Sequence, residues 1–146
     1  MKTLEINGKL WNNEGNTYHS AEIICDYSLP TEKTFYVPFS YGYEGQFVYN
    51  SIQLLVNKGM LPKGTISTRE VRDLGIELIE TARHCKKRDL IHLKKFKCSF
   101  IGRLASSIGK TYKIKTTIEA VNEEEARLEL YKNYEHITEL IIKYKL

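Results

Sequence analysis

Read for alternation between apolar and polar positions, the N-terminal part of the chain divides into three strands. Leu4, Ile6 and Leu10 fall on one side of residues 2–11, with Glu5, Asn7 and Lys9 on the other, which is the period-two signature of a half-buried strand. Asn12-Asn13-Glu14-Gly15-Asn16 supplies residues that tolerate turn geometry. Residues 17–27 place His19, Ala21, Ile23 and Cys25 on one face, and Pro30-Thr31 marks the next turn. Residues 34–41 are then expected to place Phe35, Val37, Phe39 and Tyr41 on one face along the whole strand. Pro38 has no N–H to give to a ladder, so this third strand is expected at a sheet edge or to end early.

The period then changes. Val48, Ile52, Leu55 and Val56 recur at helical spacing over residues 45–58, and Gly59 and Pro62 stop the run. Ser67 and Glu70 form a capping-box pattern, and Val71, Leu74, Leu78, Ala82 and Cys85 continue as one stripe. This predicts a second helix ending near Lys86-Lys87-Arg88, where cations suit the negative end of the helix dipole. Alternation returns in Phe96, Cys98 and Phe100, and again in Tyr112, Ile114, Thr116 and Ile118. Asn122 caps a predicted helix with Ala126, Leu130 and Tyr134 as its stripe, and Thr138, Leu140, Ile142 and Tyr144 close the chain as a strand. The expected class is α+β: an N-terminal three-stranded antiparallel meander with two helices, then a β-β-α-β unit. With 146 residues and no long linker, one compact domain is expected, or two subdomains over 1–88 and 89–146.

Composition adds constraints. The three cysteines, Cys25, Cys85 and Cys98, are scattered and odd in number, with no spacing that suits zinc, and read as small buried hydrophobes in a reducing compartment. No secretory h-region opens the chain, and no apolar run is long enough for a membrane helix, so a soluble cytoplasmic protein is expected. Ten tyrosines stand against one tryptophan, which fits either interface use or a general bias in composition.

Charge is distributed unevenly. Between Arg83 and Lys115 lie eleven of the 22 Lys and Arg residues and a single carboxylate, Asp89. Lys95 and Lys97 alternate with Phe96 and Cys98, and Lys113 and Lys115 with Tyr112 and Ile114. If these two strands form a hairpin, the four lysines share one surface. Such a surface suits nucleic-acid phosphates or an acidic protein partner, with Arg88 and Arg103 as bidentate anchors. Lysines guarding a strand edge would give the same pattern.

Motifs for chemistry are sparse. Gly109-Lys110-Thr111 ends like a phosphate-binding loop, but Leu104 stands where the first glycine is required and a strand follows. Glu123-Glu124-Glu125 fits a favourable first helical turn better than a metal cluster. No nucleophile–base or paired-carboxylate arrangement is visible, and no catalytic residue, metal ligand or cofactor is assigned. His84 and His92 lie in the basic stretch, and His136 near a predicted helix end. His19, Tyr41 and Tyr43, with the loop Tyr41-Gly42-Tyr43-Glu44-Gly45 before a helix, form the alternative candidate, a small pocket for a nucleotide-like ligand.

Trp11, Gly15-Asn16-Thr17-Tyr18-His19-Ser20 and Val37-Pro38-Phe39-Ser40-Tyr41-Gly42-Tyr43, followed by an amphipathic helix, resemble a pattern found in small uncharacterised bacteriophage and prophage proteins over about residues 10–58. The resemblance carries no site residues. It implies a phage accessory protein acting inside a bacterial cell, of the kind that binds and blocks a host factor or sequesters a host signal. The expectation is therefore a non-catalytic protein binding a host protein or nucleic acid through its basic surface.

Overall fold

The computed structural model describes residues 1–145, and the chain forms two compact units, Met1–Ile91 and His92–Leu146. The first unit is built on strands β1 (Thr3–Asn13), β2 (Asn16–Cys25), β3 (Lys33–Tyr41) and β4 (Glu77–His84), in the sheet order β3-β2-β1-β4. β1, β2 and β3 are the expected antiparallel meander, and β3, with its Pro38, is indeed an edge. A tight turn at Glu14-Gly15, both at positive φ, fixes the register that pairs Leu10 with His19 and Trp11 with Tyr18.

Helix α1 (Gln46–Asn57) covers the face carrying Leu4, Ile6, Leu10, Ala21, Ile23 and Cys25. Its Phe47, Ile52 and Leu55 are buried there, at roughly 1.5–3 kcal/mol for each large side chain removed from water. The helix ends where Gly59 turns to a φ of 74°.

The predicted second helix is corrected. Ser67 does cap a helix through a complete capping box, but α2 spans only Thr68–Asp73. Gly75 takes a φ of 82°, and the chain re-enters the sheet as β4, parallel to β1 from Thr3↔Glu77 to Leu10↔His84. Val71 therefore lies on α2 and Leu74 at its C-cap, whereas Leu78 and Ala82 lie on β4 and Cys85 just beyond it. A left-handed glycine interrupts the helical geometry that their spacing imitates, and β-branched Ile76, Ile79 and Thr81 favour an extended chain beyond it.

Beyond β4 the chain crosses the sheet face opposite α1. The Cys85 N–H donates to the Leu10 carbonyl, a short 3-10 turn spans Lys87–Asp89, and Lys9 Nζ donates to the Asp89 carbonyl. The Ile91 N–H donates to Ser20 Oγ at 3.0 Å, and the Phe39 N–H donates to the Ile91 carbonyl at 2.6 Å. Ser20 and Phe39 both lie at the register shift of β2–β3, where an extra residue on β3 takes Phe39 out of the regular pairing and its N–H bonds the strap instead.

The second unit pairs β5 (Lys94–Leu104) at its centre with β6 (Tyr112–Ala120) on one side and β7 (Tyr134–Tyr144) on the other, both antiparallel to β5. Helix α3 (Glu123–Asn133) connects the outer strands, and its Ala126 and Leu130 pack on Phe96, Cys98, Phe100 and Ile114. Asn122 caps α3 as expected, its side chain accepting from the Glu125 N–H at 2.8 Å. β7 is less regular than simple alternation predicts. Its register slips twice against β5, and His136 and Glu139 have φ of 55° and 52°. Each slip adds a residue, so Tyr134, Ile137, Leu140 and Ile142 all turn toward the core although they are not spaced by two.

Candidate nucleic-acid interface

The hairpin that gathers the lysines is present. β5 and β6 pair from Lys94↔Ala120 to Gly102↔Tyr112, and Phe96, Cys98, Phe100 and Ile114 occupy the buried side. Alternation then sends Lys95, Lys97, Lys113 and Lys115 to the side away from α3, and all four are exposed. β7 contributes what the basic stretch could not reveal. Lys143 pairs directly with Lys97, and the Lys145 N–H donates to the Lys95 carbonyl just past the strand end. A shallow depression of about 360 Å³ on this face is lined by Lys97, Ser99, Lys115, Thr117, Ile141 and Lys143, among others.

Edge protection explains only part of this set. Lys113 and Lys115 lie on outer strand β6, where exposed ammonium groups deter further strand pairing. Lys95 and Lys97 lie on the central strand, whose hydrogen bonds are taken on both sides, so they guard no edge. The one carboxylate directly opposite them on β6 is Glu119, 3.9 Å from Lys95 Nζ, with both side chains more than half exposed. That contact is worth little. Lys97 faces Thr117 on one side and Lys143 on the other.

Arg103, also on β5, is already occupied. Its Nε donates to Glu135 Oε1 at 2.6 Å and its Nη1 to the Gly109 carbonyl at 2.6 Å. Its Nη2 meets His136 Nε2 at 3.2 Å, and since a guanidinium can only donate, the imidazole accepts there. The bulge at His136 sets this arrangement, and Arg103 fastens β5, β7 and the β5–β6 loop together. Arg88 is exposed in the strap of the first unit, whereas the four lysines lie on the second.

His19, Tyr41 and Tyr43 do not converge. His19 is fully buried on the α1 side of the sheet, its Nε2 3.4 Å from Ser40 Oγ and its Nδ1 without a hydrogen-bond partner. Burial holds its pKa below the ordinary histidine value, so the ring is neutral. Tyr41, 67% exposed, stands on the opposite face, and Tyr43, 65% exposed, lies in the following loop beside Gly45. Tyr41 instead joins a group that the separate sequence segments conceal. The rings of Trp11 and Tyr18 are 5.1 Å apart, Tyr18 and Phe39 5.4 Å, and Tyr18 and Tyr41 5.5 Å. Extending the register outward from the Gly15 turn would have brought Trp11 and Tyr18 together; linking them to β3 required the irregular β2–β3 pairing.

Cys25 and Cys98 are buried, and burial raises both thiols, Cys25 to about 11, which makes them poor nucleophiles at neutral pH. Among the described residues no group of three or more His, Cys, Asp or Glu is placed to hold a metal ion, and no helix is long and apolar enough to cross a membrane. No family model, curated protein or solved structure matches the chain.

Proposed function

We propose that the open face of the second unit binds nucleic acid through its phosphates, without reading sequence. The observation that carries this is the direct cross-strand pairing of Lys97 with Lys143. Like charges facing each other across a ladder cost roughly 0.2–1 kcal/mol, a cost that a bound polyanion turns into a gain. Exposed lysines are point charges on flexible stems, suited to tracking a backbone rather than gripping a base edge. Serine, threonine and lysine predominate on the face, and no aromatic ring lines its depression, so the usual anchors of a protein–protein hot spot are missing.

In the phage setting that the N-terminal pattern implies, such a protein acts by occupancy: it covers nucleic acid that a host factor needs, or is itself placed on nucleic acid to block that factor. The decisive measurement is binding of single-stranded and duplex oligonucleotides over a salt series. Affinity should fall steeply with salt for every sequence, and Lys97→Glu with Lys115→Glu should abolish it. Binding unchanged in that double variant sinks the proposal.

A further inference from the structure

The solvent-facing side of the first unit's sheet changes character along its length. At one end it is polar: Asn7, Glu22, Tyr36 and Thr81 line a groove, with Thr81 Oγ1 donating to Asn7 Oδ1 at 2.7 Å. At the other end, past the strap, it is aromatic. Trp11 on β1, Tyr18 on β2 and Tyr41 on β3 form a ladder across three strands, with Phe39 stacked on Tyr18 at an interplanar angle of 19°. Trp11 and Tyr18 are half-buried, and the outermost ring, Tyr41, is well exposed. The Tyr41 hydroxyl makes only a 3.5 Å contact with Asn16, so ring contact holds the side chain in place.

Cations flank the Trp11 end of this ladder. Lys87 Nζ lies 5.5 Å from the centre of the Trp11 ring. A depression of about 700 Å³ beside it is lined by Lys9, Arg83, His84, Cys85, Lys86 and Asp89, three cations and one carboxylate. The register explains the juxtaposition: Lys9 precedes Trp11 by two on β1 and pairs with Arg83 on β4, so both cations share the face of the aromatic rings. Rings in line on a sheet face, two half-buried and the outermost exposed, with positive charge along one side, offer what stacked bases and their phosphates require.

We propose that the Trp11–Tyr18–Tyr41 ladder stacks the bases of single-stranded nucleic acid, while Lys9, Arg83 and Lys86 take its phosphates. The inference rests on the preceding reading for the class of partner but uses different residues. A strand fits better than a free nucleotide, because several rings in a row on a sheet face serve consecutive bases, whereas a lone nucleotide is usually enclosed. A duplex keeps its bases stacked inside and offers the ladder nothing.

Trp11 is the only tryptophan in the chain, so its fluorescence reports on this site directly. The full chain is titrated with oligothymidylate at low salt, following both Trp11 emission and the anisotropy of the labelled oligonucleotide. The two signals should change together, a duplex should leave Trp11 emission unaltered, and Tyr41→Ala, at an exposed position that should not disturb folding, should weaken single-strand binding roughly tenfold. Binding seen by anisotropy with no change at Trp11 overturns the stacking proposal and leaves the lysine face standing. Quenching that persists undiminished in Lys97→Glu with Lys115→Glu supports stacking and removes the lysine face. Quenching by thymidine monophosphate at the same concentration as by the oligonucleotide overturns the strand in favour of a free nucleotide. Absence of both signals overturns both readings.

Discussion

Gly8 lies directly beneath Phe47: a methyl group added at the glycine would sit 2.5 Å from the ring. The contact fixes how close α1 approaches the centre of β1, so the glycine is needed for its missing side chain rather than for an unusual φ. Gly8→Ala should therefore destabilise the first unit by about 1–3 kcal/mol through overpacking. Adding Phe47→Leu should recover part of that loss, and urea unfolding of the two single variants and the double variant gives the coupling.

His19 and Asp26 should give stability two separate dependences on pH. The folded pKa of His19 is depressed by burial, so below about pH 6.5 the unfolded chain takes up a proton that the folded chain refuses. Stability should fall as pH drops through that window, and His19→Leu should flatten the slope. Asp26 acts at lower pH. Its carboxylate accepts from the Lys2 N–H, the Thr31 hydroxyl and the Thr3 N–H, which holds its pKa below the ordinary value. The stability it contributes is present above its unfolded pKa and lost as pH falls through the folded one. Asp26→Asn should remove that acid limb and leave the histidine window in place in unfolding titrations.

Arg103 and the lysines should separate cleanly. Arg103→Ala breaks contacts to Glu135, Gly109 and His136 and should cost about 1–2 kcal/mol of stability, with little change in nucleic-acid affinity. The reverse is expected of Lys143→Gln. Relieving the pair with Lys97 should raise stability by a few tenths of a kcal/mol. It should also weaken oligonucleotide binding and reduce the salt slope by about one. Thermal melts and a salt titration of both variants decide the matter.

Gly75→Ala tests the boundary at which the predicted helix fails. An alanine at a φ of 82° should cost about 1–2 kcal/mol. The loss should appear as earlier exchange of the β4 amides, while the capping box at Ser67 stays intact.

Where local pattern and tertiary pairing agreed, the fold was legible. The alternations of β1, β2, β5 and β6, the α1 stripe and the Asn122 cap all read correctly, because each buries one face against a neighbour close in sequence. β4 was not legible, because its partner β1 is distant and the spacing from Val71 to Cys85 imitates a helix; Gly75 and β-branched Ile76, Ile79 and Thr81 were the available signals. The two extra residues in β7 were hidden because His136 and Glu139 adopt positive φ without being glycine. The lysine surface was half visible: four members came from hairpin periodicity, while Lys143 required the β5–β7 pairing.

The parallel pairing of β1 with β4 also dictates a timetable. Asn7 and Thr81, bonded across that ladder, are 74 residues apart in the chain, whereas β2 follows β1 after a two-residue turn. During synthesis, the meander and α1 emerge while one flank of β1 still presents open amides and carbonyls. Loop closure over that distance is slow relative to hairpin formation. The early strand is therefore the segment most exposed to pairing with a neighbouring chain, and the interval before β4 docks is when that hazard is greatest.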